Sequence, residues 1–499
     1  MSEIKKYTDE YELYLRDESR STGFADYFCF AKSEDDITEA IKFCRDNDMR
    51  LTVQGGSTGL AAGAVPYGGL ALNLSRMKRF LSERTEGERL FMTYEPGILL
   101  SELREDVAKR HHDRFFAPDP TETGASLGGM VSCNASGACS FMYGSTRDHI
   151  NGLRIHFMDG RTVSLKRGQQ FAKGLTAELV CDDGSTVSFT LPSYKMPNTK
   201  KHVAGYYVKP DMDLIDLFIG SDGSLGVVSE IEIEVLKKPA FLNTLLLFFG
   251  SEKDSLEFVD DFRYKVPYIA AVEYFNRDVL KLIDDRHIEN FIEIPEDADA
   301  AIYTEIQAPS EDEGYESLEM IGEFFAKHGG RDDEIMIAER ASDIQKIKDF
   351  RHAAPESNNL MIDVYRKNAP EITKMGGDMS VPDDRMFDAM EMFERTIKEG
   401  GFRSAIWAHI GSSHIHANVI SRTSEEYKRA HELFKQWARE VVKMGGSVSA
   451  EHGVGKMKTD YVEIMFSPED IEAMRNVKRA FDRKYLIGVG NIFKEKKGE

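Results

Sequence analysis

Ile37, Ala40, Ile41 and Cys44 recur at helical spacing, which predicts one amphipathic helix over 35–48. The short apolar stretch LTV at 51–53 follows it and predicts a strand. A Gly- and Ala-rich stretch, QGGSTGLAAGAVPYGG, separates that strand from a second candidate, LALNLS. A longer small-residue run over 118–148 holds too much Gly and Ser to be helical throughout, and is expected to wrap something. Asp159-Gly160 and Asp183-Gly184 each stand between alternating apolar segments, LRIHFM with TVSL and AELVC with TVSFTL, and so predict two hairpins. A third Gly-rich segment, IGSDGSLGVVSEIEIEV, runs into an alternating strand, with a boundary near Lys237, Lys238 and Pro239. From about 240 to 480 the pattern changes to amphipathic helices between strands such as FLNTLLLFF, AIYTEIQ and RSAIWAHI, which predicts an α+β domain on an antiparallel sheet.

At 499 residues the chain is too long for one core, so two or three domains are expected. A formal charge of -21 excludes non-specific binding to nucleic acid, and an anionic substrate needs a local basic site. Cys29, Cys44, Cys133, Cys139 and Cys181 form no set with zinc or iron–sulfur spacing, and are expected to be reduced and mostly buried. The N-terminus has no basic segment before an apolar core, and no apolar run spans a bilayer. The expectation is a cytoplasmic protein without a transmembrane segment, with peripheral contact at a membrane and a homo-oligomer both left open.

Gly55, Gly56, Gly59 and Gly63 let backbone N–H groups approach an anion such as a pyrophosphate. The spacing fits neither a P-loop nor a clean G-x-G-x-x-G. Alone, such a loop reads equally as a close-packed turn, but two further segments, 118–148 and 220–227, repeat the avoidance of bulk. VQGGSTGLAAGAVP, APDPTETGASLGGMVSCNASGACSFMYGSTRDHINGLRI and LFIGSDGSLGVVSE resemble, in order and spacing, the FAD-binding domain of the vanillyl-alcohol oxidase (PCMH-type) superfamily. The resemblance is to its branch of D-lactate dehydrogenases, glycolate oxidase flavin subunits and D-2-hydroxyglutarate dehydrogenases.

That resemblance implies a two-part FAD-binding domain over 1–238, an α+β substrate (cap) domain over 239–480, and a segment over 481–499 that returns to the FAD domain. It implies FAD with its pyrophosphate on Gly55, Gly56, Ser57, Thr58, Gly59 and Leu60. Thr123, Ser126, Gly129, Asn134, Gly137 and Gly144 would lie along the isoalloxazine and ribityl portion, and Gly223, Gly226 and Val227 on the adenine side. Ser57 stands where some relatives carry the His that attaches flavin covalently, so the flavin is expected to be non-covalent.

In WAHIGSSHIHANV, a turn centred between Ser412 and Ser413 would set His409 opposite His416, with His414 on the same face. SVSAEHGVGKMKTDY adds Glu451 and His452. A carboxylate with imidazoles suits zinc, manganese or iron, while a cross-strand His pair serves equally as a hydrogen bond within the sheet. The family motifs G-H-x-G-D-G-N-x-H and G-E-H-G resemble these segments. That likeness implies that His409, His416 and Glu451 hold a divalent metal and that His452 is the base. Ser412, Ser413 and His414 replace the motif's Asp, Gly and Asn, and the replaced Asn makes His414 a substrate candidate. FRHAAPESNN resembles the family's Arg-bearing helix, which nominates Arg351 to clamp a substrate carboxylate, its alternative being a surface ion pair. Lys374, before GGDMSVP, is a further substrate candidate.

The implied activity is FAD-dependent oxidation of a small, D-lactate-like 2-hydroxy acid, with an external electron acceptor, a redox protein or a quinone. The rivals are a non-redox flavoenzyme of the alkylglycerone-phosphate synthase type and a flavin subunit without substrate chemistry.

Overall fold

In the computed structural model, which describes residues 3–289 and 291–495, the first half is built on two unlike main sheets, beside a separate two-stranded hairpin. The smaller has four strands in the order Lys5–Lys6, Tyr27–Phe30, Leu70–Asn73, Leu51–Gln54, the last three parallel to one another. The amphipathic helix Glu34–Asp46 covers it with Ile37, Ala40, Ile41 and Cys44, all buried. The parallel pairing needs a crossover between Gln54 and Leu70, and the Gly- and Ala-rich loop supplies it. The larger sheet is antiparallel around the strand Val227–Lys237, which pairs on one side with Arg89–Tyr94 and on the other with Ile150–His156.

Both Asp-Gly hairpins form, His156 opposite Thr162 and Val180 opposite Thr186, with Gly160 and Gly184 at positive φ in their turns. The run 118–148 is broken into short helices, Leu127–Cys133, Ser140–Tyr143 and Thr146–His149.

The second half is one antiparallel sheet of eight strands, with Phe241–Phe249, Ala300–Ala308, Ile269–Asn276, Arg403–His409 and His414–Ile420 adjacent in that order. Helices such as Glu311–Lys327, Ala341–Arg366 and Ser424–Lys443 cover it. The fold is therefore α+β, with a two-part first domain. Near the C-terminus the chain comes back to the first half, where Ile487 bridges Leu51 in parallel and Asn491 donates to the Gly63 carbonyl. Residues 496–499 of the returning segment lie outside the described residues. All five cysteines are free, and among the described residues no helix is long and apolar enough to cross a membrane.

Candidate active site

A cleft of about 1440 Å³, counted out to its open mouth, runs between the Gly55–Leu60 loop, the 120–136 segment and Asp222–Val228, and ends at Glu451 and His452. Gly55, Gly56, Ser57, Thr58, Gly59, Leu60, Ser126, Gly129, Gly223 and Gly226 all line it. Thr123, Asn134, Gly137, Gly144 and Val227 do not. Val227 alternates inward along its strand and is fully buried in the core beneath the small sheet, so its neighbour Val228 faces the cleft instead. Asn134 caps the helix Leu127–Cys133 and accepts from the Arg147 backbone N–H at 2.8 Å. Gly137 is packed so tightly on Asp119 that a Cβ would fall 1.6 Å from its carbonyl oxygen.

The cleft glycines divide by cause. A Cβ on Gly55 or Gly56 would meet Ser126 Oγ at 2.1 Å or the Gly124 carbonyl at 2.4 Å, so these two are glycine because two loops pack together. A Cβ on Gly59 or Gly63 would find nothing closer than 3.8 Å, so here the missing side chains leave backbone open to a ligand, while Gly223, with nothing within 4 Å, is also favoured as glycine by its φ of 65°. This open cradle fits a flavin dinucleotide. Lys456 fastens the loop from outside by donating to the Ala62 and Gly63 carbonyls and to Asn491.

The imidazoles stand on the hairpin Arg403–His409/His414–Ile420, in a register that differs from the sequence expectation. His409 lies opposite His414, and Trp407 opposite His416. The turn Ile410–Ser412 is a single tight 3₁₀ turn closed by Ser413 at φ 50°, which moves the pairing by two residues. A two-residue shift keeps every side chain on its face, so the three rings still converge, with centroids 4.3 to 5.4 Å apart.

Each ring has one nitrogen tied away from the centre. His409 Nδ1 bonds Glu273 at 2.6 Å, His416 Nδ1 bonds the Gly377 carbonyl at 3.0 Å, and His414 Nε2 bonds Asp378 at 3.0 Å. A carbonyl only accepts, so His416 Nδ1 carries the proton and its Nε2 presents a lone pair 3.3 Å from Glu451 Oε1. His409 Nε2 stands 3.2 Å from the same oxygen, and the buried His414 Nδ1 has no hydrogen-bond partner. The lone pairs of His416 Nε2 and His414 Nδ1 beside a buried carboxylate suit a cation, and the donor atoms of His409, His414, His416 and Glu451 all lie within 4.8 Å of one another. The group therefore fits a divalent metal ion. The structure places His414, the substrate candidate, inside this group and fully buried.

Burial pushes the Glu451 carboxyl up, but Lys201 and His409 outweigh it and hold it well below the usual carboxylate range. Burial likewise pushes Glu273 up, and His409 and Arg351 bring it down to about 2.

Arg351 is not a surface residue. It projects from the helix Ala341–Arg366, and its Nε donates to Glu273 Oε2 at 3.2 Å, one carboxylate away from His409. Lys374 immediately precedes the edge strand Met375–Gly376 of the second sheet, its ammonium 5.7 Å from the Trp407 ring centroid, and burial pushes it down to about 8.

His452 lines the cleft, with Nε2 3.6 Å from Glu451 Oε1 and Nδ1 3.6 Å from Asp378. Its segment is held by Asp222, which accepts from the N–H groups of Val454 and Gly455, and by Asp378, which accepts from those of Glu451 and His452. Gly455 must be glycine, because φ is 48° and a Cβ would lie 2.0 Å from the Ala61 carbonyl oxygen.

Asp378, Glu273, Lys201 and Ser136 were not legible as site residues. Glu273 and Lys201 sit in segments without a chemical motif, Ser136 lies in the second small-residue segment without having been singled out there, and only the fold brings the four together. Asp378 followed a marked Gly pair, which was the one signal present.

A family model described as FAD linked oxidases, C-terminal domain, matches residues 238–490, and an FAD binding domain model matches 25–166. Among curated relatives, the chain is 25% identical to a D-lactate dehydrogenase of Anaerostipes hadrus, over 93% of this chain and 88% of the relative. It is 25% identical to the glycolate oxidase subunit GlcD of Bacillus subtilis, over 93% and 87%. It is also 25% identical to a D-2-hydroxyglutarate dehydrogenase of Stutzerimonas stutzeri, over 93% and 90%. In fold it is similar to p-cresol methylhydroxylase with substrate bound, at TM-score 0.68 and 14% identity over 99% of this chain and 95% of that one.

Proposed function

The chain belongs to the FAD-linked oxidases and is a flavoprotein of the PCMH-type superfamily, and on that footing we propose that it oxidises a small 2-hydroxy acid to the 2-oxo acid. The observation that carries the reading is the buried group His409, His414, His416 and Glu451, whose Glu451 reaches the wall of the dinucleotide cleft, with His452 beside it on that wall. The names of the relatives, which act on lactate, glycolate and 2-hydroxyglutarate, agree in substrate class.

When bound, FAD supplies the hydride acceptor and the divalent ion supplies Lewis-acid chemistry toward a hydroxyl and carboxylate. His452 takes the hydroxyl proton. Burial pushes its imidazole down to about 4, with Asp378 opposing, so at neutral pH the ring is uncharged and able to accept. Arg351 keeps its Nε on Glu273 and offers the rest of its fork to the substrate carboxylate. The Asp222 and Asp378 contacts to the backbone of 451–455 hold His452 at the cleft wall. The five cysteines show no cluster spacing, so electrons leave to an external acceptor, a redox protein or a quinone.

A panel of D-2-hydroxy acids with an artificial electron acceptor tests the reading. Turnover of at least one acid is expected, and no turnover across the panel by FAD- and metal-loaded protein refutes it.

A further inference from the structure

We propose that Lys201, assisted by Ser136, is a positioning residue that restricts Glu451 to one metal-facing oxygen and thereby keeps a coordination position open for substrate. The inference rests on the metal reading above.

Both residues come from the first half of the chain and reach Glu451 from outside the imidazole group. Lys201 is 4% exposed, and its ammonium donates to Glu451 Oε2 at 2.9 Å and to the Gly137 carbonyl at 2.9 Å. The Ser136 hydroxyl donates to the same Oε2 at 3.0 Å. The other oxygen, Oε1, faces His409 Nε2 at 3.2 Å, His416 Nε2 at 3.3 Å and His452 Nε2 at 3.6 Å. The carboxylate is thus divided, with Oε2 occupied by an ammonium and a hydroxyl, and 3.9 Å from His414 Nδ1, while Oε1 is turned to His409, His416 and His452.

A carboxylate with both oxygens free can close onto a cation with both, and each oxygen so used fills a position that a catalytic site leaves for substrate. With Oε2 held by Lys201 and Ser136, that closure would compete with two hydrogen bonds and leave a buried ammonium with the Gly137 carbonyl but without its carboxylate, which is unfavourable. Charge points the same way. Arg351, Glu273, His409, Glu451 and Lys201 form a row in which each carboxylate lies between cationic or imidazole partners. Lys201 offsets the charge of Glu451, so that the carboxylates of this row add no net negative charge against an anionic substrate in a chain that carries -21 overall.

The test uses FAD-loaded protein reconstituted with zinc. Zinc X-ray absorption and calorimetric binding of oxalate, a chelating mimic of a 2-hydroxy acid, are compared for wild type, Lys201→Met and Lys201→Arg. In Lys201→Met, zinc should be retained with one more oxygen neighbour, and oxalate should bind at least about tenfold more weakly, the order expected for a lost outer-shell partner. Lys201→Arg should recover oxalate binding. Should Lys201→Met fail to fold, Lys201→Gln and Ser136→Ala carry the same measurements, each with a smaller shift in the same direction. An unchanged zinc spectrum with unchanged oxalate affinity overturns the proposal, and so does loss of zinc from a folded, FAD-loaded Lys201→Met. Failure of wild type to take up zinc, manganese or iron overturns the underlying metal reading instead.

Discussion

Glu273 does not line the cleft, yet its replacement by Gln should weaken metal binding. Its carboxylate is 4% exposed, receives His409 Nδ1 on one oxygen at 2.6 Å and accepts from Arg351 Nε on the other at 3.2 Å. A glutamine has one acceptor oxygen. Turned toward His409 it confronts Arg351 with an N–H, and turned toward Arg351 it does the same to His409, so one of two charge-assisted bonds is lost in either orientation. Such a bond is worth about 1.5–3 kcal/mol. At about 1.4 kcal/mol per tenfold, this corresponds to roughly 10- to 150-fold in affinity. That range overlaps the 10- to 100-fold typical of outer-shell partners of a metal-bound His. Competition against a chromophoric zinc chelator measures it, with the flavin spectrum as the control that the cleft is intact. Affinity within twofold of wild type, with FAD retained, would show that His409 needs no such partner and would remove it from the ligand set.

Ala at His409, His416 or Glu451 should lower metal content and flavin reduction together. His452→Ala should keep FAD and metal and slow reduction by about 10²- to 10⁴-fold, as read by metal analysis and stopped-flow absorbance. Gly59→Ala should leave the thermal melt of flavin-free protein unchanged and weaken FAD binding, because its Cβ would meet little but ligand, whereas Gly455→Ala should lower that melt as well. Away from the site, burial and then the neighbouring Glu394 push the Glu252 carboxyl above its ordinary 4.5. Between 4.5 and that raised value the folded state holds more protons than the unfolded one, so this pair costs stability as pH rises, about 1.4 kcal/mol per unit of elevation. Glu394→Gln should raise the melting temperature at pH 8 by more than at pH 5, and an equal shift at both would refute the pairing.

Local patterns carried most of the fold. Asp-Gly turns, alternating strands and the helix before Leu51 depend on neighbours in sequence, and each formed as expected. The histidine face was legible for the same reason, because period two survives an error of two residues in register, although the opposing residue does not. The reasons behind individual glycines were not legible. Gly56 was expected to admit an anion, but it is small because Gly124 lies against it, 68 residues later in the chain. Val227 was displaced by strand alternation that motif likeness does not register. The outer partners Glu273, Asp378 and Lys201 come from separate strands and loops, and only tertiary packing brings them to the imidazoles.

Reduction of the flavin by a 2-hydroxy acid at a metal-dependent site can be watched by anaerobic mixing. FAD-loaded protein is mixed with each acid of a D-2-hydroxy-acid panel, and the oxidised flavin band is followed before chelation, after chelation and after the metal is restored. Bleaching by at least one acid is expected, with its loss on chelation while FAD stays bound, and its recovery with the metal. Bleaching that persists unchanged in metal-free protein, or no bleaching by any acid in the metal-loaded protein, would contradict the metal-dependent oxidation.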